Sequence, residues 1–79
     1  MSQPRAVLAF KVWTIRPDRE AGSDPVTHAM RCAICNEQSG ASGEWEAPQS
    51  WALEHSGRHP THTSYSEIIT RPYVTQMSN

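Results

Sequence analysis

The residues of this chain that could carry chemistry are its cysteines and histidines. Two cysteines form a Cys32-x-x-Cys35 pair, and four histidines accompany them. Thiolate sulfur and imidazole nitrogen are the ligands of tetrahedral zinc sites, and a pair at this spacing can reach one ion from a single turn. A disulfide within the pair would close too short a loop to stabilise the fold much. The pair therefore indicates either metal binding or thiol redox chemistry.

The remaining metal ligands are predicted among the later histidines. A helix over 47–56 would place His55 on the same face as Trp51. The spacing His55-x-x-x-His59 is usual in zinc fingers, but Pro60 indicates that the helix has ended before His59. We therefore predict a Zn²⁺ site formed by Cys32, Cys35, His55 and His62, with His59 as the alternative fourth ligand.

Thiol redox chemistry is the competing interpretation of the Cys-x-x-Cys pair. A thioredoxin-like site needs this motif at the start of a helix in a βαβ unit. Here a predicted strand precedes the pair and a loop rich in Ser and Gly follows it. The context favours metal binding, and the remaining histidine, His28, is expected to be structural.

We expect no enzymatic activity. An open catalytic zinc would keep three protein ligands and a water, and Glu54, next to His55, would then be the candidate general base. A carboxylate on a helix surface is usually only solvated, so the sequence favours a structural site.

Four segments have the patterns of secondary structure that must position these residues. Residues 5–16 are rich in β-branched and aromatic side chains and predict a strand that Pro17 ends. Residues 26–32 alternate with a period of two and predict a second strand leading into the cysteine pair. Residues 47–56 predict a short helix and residues 63–75 a third strand. The sequence thus predicts a small zinc-stapled α+β fold in the order β-β-α-β. Its three-stranded antiparallel sheet has adjacent first and last strands, and one helix crosses a face.

Length and composition limit the protein to a single small domain. The chain has 79 residues, of which 37% are hydrophobic, and a core of this size alone rarely stabilises a fold by more than about 3–5 kcal/mol. A metal ion would supply the missing stability. We expect one zinc-binding domain over residues 5–76, with flexible ends at 1–4 and 77–79.

Charge disfavours nucleic-acid binding without excluding it, and hydropathy excludes a membrane-spanning helix. The net charge is −1, with seven basic and eight acidic residues, so nothing in the composition indicates the basic surface typical of nucleic-acid binding. Residues 6–10 form the longest apolar run, far short of the roughly 20 residues that cross a membrane. We expect a cytoplasmic protein with no membrane contact.

The chain resembles a family of small uncharacterised actinobacterial proteins, from streptomycetes, that are zinc-finger-like. The resemblance covers roughly residues 26–72. It rests on a C-x2-C … W-x3-H … H-x2-aromatic signature. The matching residues are Cys32-x-x-Cys35, Ser39, Trp51-x-x-x-His55 and His62-x-x-Tyr65. The resemblance implies a zinc-type site, supports His62 over His59 as the fourth ligand, and carries no established activity.

The function that we expect is a non-catalytic zinc module that acts through protein–protein contacts. Trp13 and Tyr73, if exposed, would mark a contact surface, whereas a cross-strand aromatic pair is the alternative interpretation. The alternative functions are a nucleic-acid-binding regulator that uses a zinc knuckle and a Cys-x-x-Cys redox protein. The sequence names neither a partner nor an oligomeric state.

Overall fold

The computed structural model describes residues 4–78, which form five strands and one helix. In chain order these are β1 (Arg5–Leu8), β2 (Lys11–Pro17), β3 (Thr27–Cys32), α1 (Glu46–Arg58), β4 (Tyr65–Thr70) and β5 (Tyr73–Ser78). The predicted α+β class, with one helix and a three-stranded antiparallel sheet, is confirmed.

The described chain divides into two compact units. One contains residues 4–24 and 71–78, and the other contains residues 25–70. The expectation of a single domain over 5–76 stays a prediction. Residues 77 and 78 belong to β5, while the predicted flexibility of residues 1–3 and 79 lies outside the described residues.

The first unit is an antiparallel sheet in the order β1-β2-β5. The predicted strand over 5–16 is wrong in one respect, because it is a hairpin that reverses at Ala9 and Phe10. These two residues have φ values of 52° and 62°, the left-handed conformation that a two-residue type I′ turn requires. Neither residue type favours it, so the strand-forming composition of the segment conceals the turn.

The pairing of β2 with β5 confirms that the first and last predicted strands are adjacent. It runs from Val12 opposite Ser78 to Pro17 opposite Tyr73. Trp13 lies opposite Ala6 and Met77, so Trp13 and Tyr73 do not form the cross-strand pair considered above.

The predicted last strand over 63–75 is two strands. Arg71 and Pro72 separate β4 from β5. Pro72 has no N–H with which to continue the hydrogen bonding of a strand. Its carbonyl accepts a hydrogen bond from the Asp18 amide at 2.9 Å. The chain passes from the second unit to the first between Thr70 and Arg71, just before this proline.

The second unit is built around β3, which pairs with β4 in a separate two-stranded sheet and packs against α1. The β3 segment was expected in the three-stranded sheet, and that part of the prediction is wrong. On its other side, the loop after the cysteines runs back along β3, with isolated bridges from His28 to Ser42 and from Arg31 to Gln38. This return places the two cysteines at the end of β3, next to the helix.

Helix α1 extends beyond the predicted range of 47–56. Pro48 is buried in its first turn, where a missing N–H costs nothing. Gly57 lies within the helix and does not end it. The helix ends at Arg58, and the His59 amide donates to the His55 carbonyl at 2.9 Å, since Pro60 pushes His59 out of the α conformation. No helix within residues 4–78 has the length and apolarity needed to span a membrane.

Candidate metal centre

Four side chains of the second unit converge on one point. The ligand atoms of Cys32, Cys35, His55 and His62 all lie within 4.8 Å of one another. Cys32 is fully buried and His55 is 2% exposed, whereas Cys35 is exposed and His62 is half-buried. These are the four residues that the sequence predicts as the first choice, and they come from a turn, a helix and the loop before β4.

Three of the six distances between the donor atoms are close to the edges of a tetrahedral site. His55 Nε2 lies 3.4 Å from Cys35 Sγ, and His62 Nδ1 lies 3.6 Å from Cys32 Sγ. The two nitrogens are 3.2 Å apart. A tetrahedral ion with metal–sulfur bonds of about 2.3 Å and metal–nitrogen bonds of about 2.0–2.1 Å separates sulfur from nitrogen by about 3.5 Å and nitrogen from nitrogen by about 3.3–3.4 Å. The cluster therefore has the size that such an ion needs.

Hydrogen bonding alone does not account for the three contacts within the cluster. Each ring nitrogen is near one sulfur and near the other nitrogen. A neutral imidazole nitrogen either donates or accepts, so without sharing a proton these groups can satisfy at most two of the three contacts. A cation at the centre would accept a lone pair from every donor at once, so the residues fit a bound metal ion.

The turn between the cysteines is held by backbone hydrogen bonds. The Asn36 amide donates to the Cys32 carbonyl at 2.9 Å, and the Cys32 amide donates to the Glu37 carbonyl at 2.8 Å. Asn36 has a φ of 65°, a left-handed conformation that asparagine tolerates better than most residues. This turn brings both sulfur atoms to the same side of the chain.

The two thiols have pKa values shifted in opposite directions. Burial opposes ionisation of Cys32, but hydrogen bonds to its sulfur from the Cys35 and Ile34 amides and the Cys35 thiol outweigh burial and lower its pKa. The Glu37 amide favours the Cys35 thiolate, but desolvation, the Cys32 sulfur and the Glu37 carboxylate together raise the pKa of Cys35. A metal cation would supply the positive charge that lets both thiols ionise together.

The ring of His55 is held in place by its neighbours. Trp51, one turn earlier on α1, stacks on it with a centroid distance of 5.0 Å and an interplanar angle of 19°, and Tyr65 approaches edge-on at 6.2 Å. On the far side of the ring, Nδ1 lies 3.3 Å from a carboxylate oxygen of Glu37. These contacts direct Nε2 toward the sulfur atoms and His62.

His62 is positioned through its backbone. Its carbonyl accepts a hydrogen bond from Ser56 Oγ at 2.7 Å, and the Tyr65 hydroxyl lies 3.1 Å from the same carbonyl. That hydroxyl also lies 2.7 Å from Ser56 Oγ and 3.0 Å from the Ala52 carbonyl. Tyr65 thus links the helix to the loop that carries His62, which gives a physical reason for the H-x2-aromatic spacing.

The remaining histidines lie outside the four-residue cluster. His59 is exposed, and its ring centroid is 4.9 Å from that of His55 and 5.0 Å from that of His62. His28 is half-buried, and its Nδ1 is buried without a hydrogen-bond partner among residues 4–78. The geometry thus favours His62 over His59 as the fourth donor.

Two residues of the site were not singled out from the sequence. Glu37 contacts His55, and Ser56 contacts both Tyr65 and the His62 carbonyl. Ser56 is one position after His55, and Glu37 is two positions after Cys35. Proximity to a predicted ligand was the only signal available for either residue.

The comparisons with known proteins identify a family but no activity. No curated protein and no solved structure matches the chain. A family model matches all of residues 1–79, and that family is described only as a domain of unknown function, DUF7848. The actinobacterial origin implied by the resemblance stays a prediction. With its Cys/His cluster inside the matched range, the chain belongs to the DUF7848 family.

Proposed function

We propose that this protein is a small structural-zinc module without catalytic activity, in which one Zn²⁺ is held by Cys32, Cys35, His55 and His62. The observation that carries the proposal is the convergence of two sulfur and two nitrogen donors within 4.8 Å of one another, with three of their separations close to those of a tetrahedral thiolate–imidazole site. Two sulfur and two nitrogen donors suit zinc better than magnesium or calcium, which take oxygen ligands.

A structural role is favoured over a catalytic one because four protein ligands would occupy all four coordination positions of a tetrahedral ion. Catalytic zinc keeps a position open for water or substrate. Glu54, the candidate general base, is exposed on α1, and no contact to the cluster supports a catalytic role for it.

The composition of the core supports a stabilising role for the metal. Among residues 4–78, the buried hydrophobic residues are Ala29, Cys32 and Ala52, and the largest fully buried side chains are His55, Pro48 and Cys32. Two of the proposed ligands are therefore themselves core residues. Structural zinc in finger peptides binds with an apparent free energy of about 10–16 kcal/mol, which exceeds the roughly 3–5 kcal/mol that so small a core provides.

Metal analysis of purified protein tests this proposal. We expect one zinc per chain, and loss of the circular dichroism signal and of dispersed amide resonances when a strong chelator removes the metal. A protein that is metal-free and well folded under reducing conditions would contradict the proposal.

Thiol redox chemistry remains the alternative function of the cysteine pair. The two histidines that complete the cluster support a metal over a disulfide. A reversible Cys32–Cys35 disulfide in a folded protein that binds no metal would favour the redox alternative.

We propose that the module acts through contacts with another protein in the cytoplasm, where thiols stay reduced. The support is the exposed apolar tip of the β1–β2 hairpin. Phe10 is 98% exposed, and Val7 and Leu8 are also largely exposed. A photo-crosslinking amino acid at position 10 tests this role. One discrete crosslinked product with a cellular protein is expected, and crosslinks to nucleic acid alone would favour the regulator alternative.

A further inference from the structure

We propose that Glu37 is the positioning residue of the metal centre, which fixes His55 in the tautomer that can bind the ion and ties the cysteine turn to helix α1. This inference rests on the proposed zinc site. Its basis is that Glu37 contacts two of the four proposed ligands, His55 through its carboxylate and Cys32 through its carbonyl.

The carboxylate contact follows from the chemistry of a buried imidazole. His55 Nε2 faces the sulfur of Cys35 and the nitrogen of His62, so its lone pair must be free for a metal. A neutral ring that binds through Nε2 carries its proton on Nδ1. Because His55 is only 2% exposed, that N–H needs a protein acceptor, and a Glu37 carboxylate oxygen lies 3.3 Å away.

The main chain of Glu37 holds the other side of the centre. Its carbonyl accepts a hydrogen bond from the Cys32 amide at 2.8 Å. The same residue therefore closes the cysteine turn with its backbone and reaches the helix with its side chain. Carboxylate partners of metal-bound histidines orient the ring and raise its basicity.

The exposure of the Glu37 side chain sets the expected size of the effect. The side chain is 67% exposed, so water competes for the carboxylate and screens its charge. Its role is therefore orientation and tautomer choice, and its loss should weaken metal binding without abolishing it.

The test compares the zinc-loaded 79-residue protein with Glu37→Ala, Glu37→Gln and the control Glu54→Ala. Glu54 carries the same charge next to His55 but is exposed on the outside of the helix. Zinc affinity is measured by competition with a chromogenic chelator, and the His55 Nδ1–H resonance is followed by ¹⁵N-edited NMR. We expect Glu37→Ala to lower zinc affinity by about 10–100-fold and to lose the exchange-protected Nδ1–H signal, with Glu54→Ala like the wild type.

The Gln variant separates the hydrogen bond from the charge. Its amide oxygen can still accept the Nδ1–H, so it should retain that signal and bind zinc more tightly than Glu37→Ala does. If Glu37→Ala fails to fold, the Nδ1–H signal of Glu37→Gln decides, and its loss overturns the inference.

The outcomes distinguish this inference from the proposed function. A wild-type protein that takes up no zinc would defeat the proposed function itself. If the wild type binds one zinc while Glu37→Ala binds within twofold of it and retains the protected Nδ1–H, the zinc site stands and the role of Glu37 is overturned.

Discussion

At the scale of single residues, the two cysteines of the site differ in access to solvent. Cys32 is fully buried at the end of β3, whereas Cys35 is exposed. The pKa of Cys32 is lowered and that of Cys35 is raised, so ionisation favours reaction at Cys32 and access favours reaction at Cys35. Because the buried sulfur of Cys32 cannot be reached by a reagent while the site is closed, we expect solvent access to decide which cysteine reacts first.

We therefore expect alkylation of the metal-loaded protein to begin at Cys35. Iodoacetamide added in limiting amount should label Cys35 first, as read by peptide mass spectrometry, and added zinc should slow the labelling of both cysteines. Faster labelling of Cys32 would show that its sulfur is not buried in the metal-loaded protein.

The choice between His62 and His59 as the fourth ligand can also be tested with single substitutions. His62→Ala should abolish stoichiometric zinc binding, because it removes the donor that lies 3.2 Å from His55 Nε2 and 3.6 Å from the Cys32 sulfur. His59→Ala is the matched control, and it should retain one zinc per chain in the same metal assay. The opposite result would make His59 the fourth ligand.

At the scale of elements, Tyr65 connects β4 to α1 and to the loop with His62. Tyr65→Phe removes only the hydroxyl that contacts the carbonyls of Ala52 and His62 and the Ser56 side chain. We expect a loss of about 1 kcal/mol in the free energy of unfolding, measured by urea denaturation of the zinc-loaded protein. Tyr73→Phe, on an exposed position of β5, is the control, and an equal loss in both variants would contradict the linking role.

The β1–β2 turn allows a second test at this scale. Ala9 and Phe10 both adopt positive φ, which costs a non-glycine residue about 1–2 kcal/mol. Replacing the pair by Asn-Gly should raise the free energy of unfolding by that order, read by thermal denaturation. Phe10→Ala keeps the unfavourable backbone conformation and should give no such gain. A gain of similar size in Phe10→Ala would attribute the cost to the exposed ring.

The elements also show what a sequence can predict and why. Cys-x-x-Cys, the Trp51–His55 spacing and the proline after His59 are local signals, and they predict the four residues that converge. The hairpin at Ala9 and Phe10 carries no Gly, Asn or Pro to indicate a turn, so it reads as one long strand. The separation of β3 from the other sheet depends on long-range pairing, and the contact from Glu37 to His55 depends on how a loop folds back. Neither leaves a pattern in the local sequence.

At the scale of the whole molecule, metal binding should make stability depend on pH. Thiolate and neutral imidazole bind the ion, so protons compete with it and affinity falls as pH falls. Because the pKa of Cys32 is lowered, its thiolate is present at pH values at which an ordinary thiol is protonated. The contribution of the Cys32 thiolate to stability is complete at pH values above the pKa of this thiol in the unfolded chain. It is lost as the pH falls through the pKa of the same thiol in the folded chain. We expect acidification to release zinc and to unfold residues 25–70 in the same pH range. Zinc release is measured with a metal indicator and unfolding by tryptophan fluorescence. Release of the metal without unfolding would contradict this coupling.

The order of elements along the chain has a consequence for folding. The three-stranded sheet is closed by pairing of Pro17 with Tyr73, and the second unit lies between them in sequence, with Thr27 paired to Thr70. When the second unit is unfolded, this pairing must close a flexible loop of roughly 55 residues. When the second unit is folded, only about a fifth of those residues stay flexible. At roughly 0.6 kcal/mol of closure entropy for each doubling of loop length, metal loading of residues 25–70 favours formation of the three-stranded sheet by about 1.4 kcal/mol. The ion would thus support strands that supply none of its proposed ligands, through the connectivity of the chain alone.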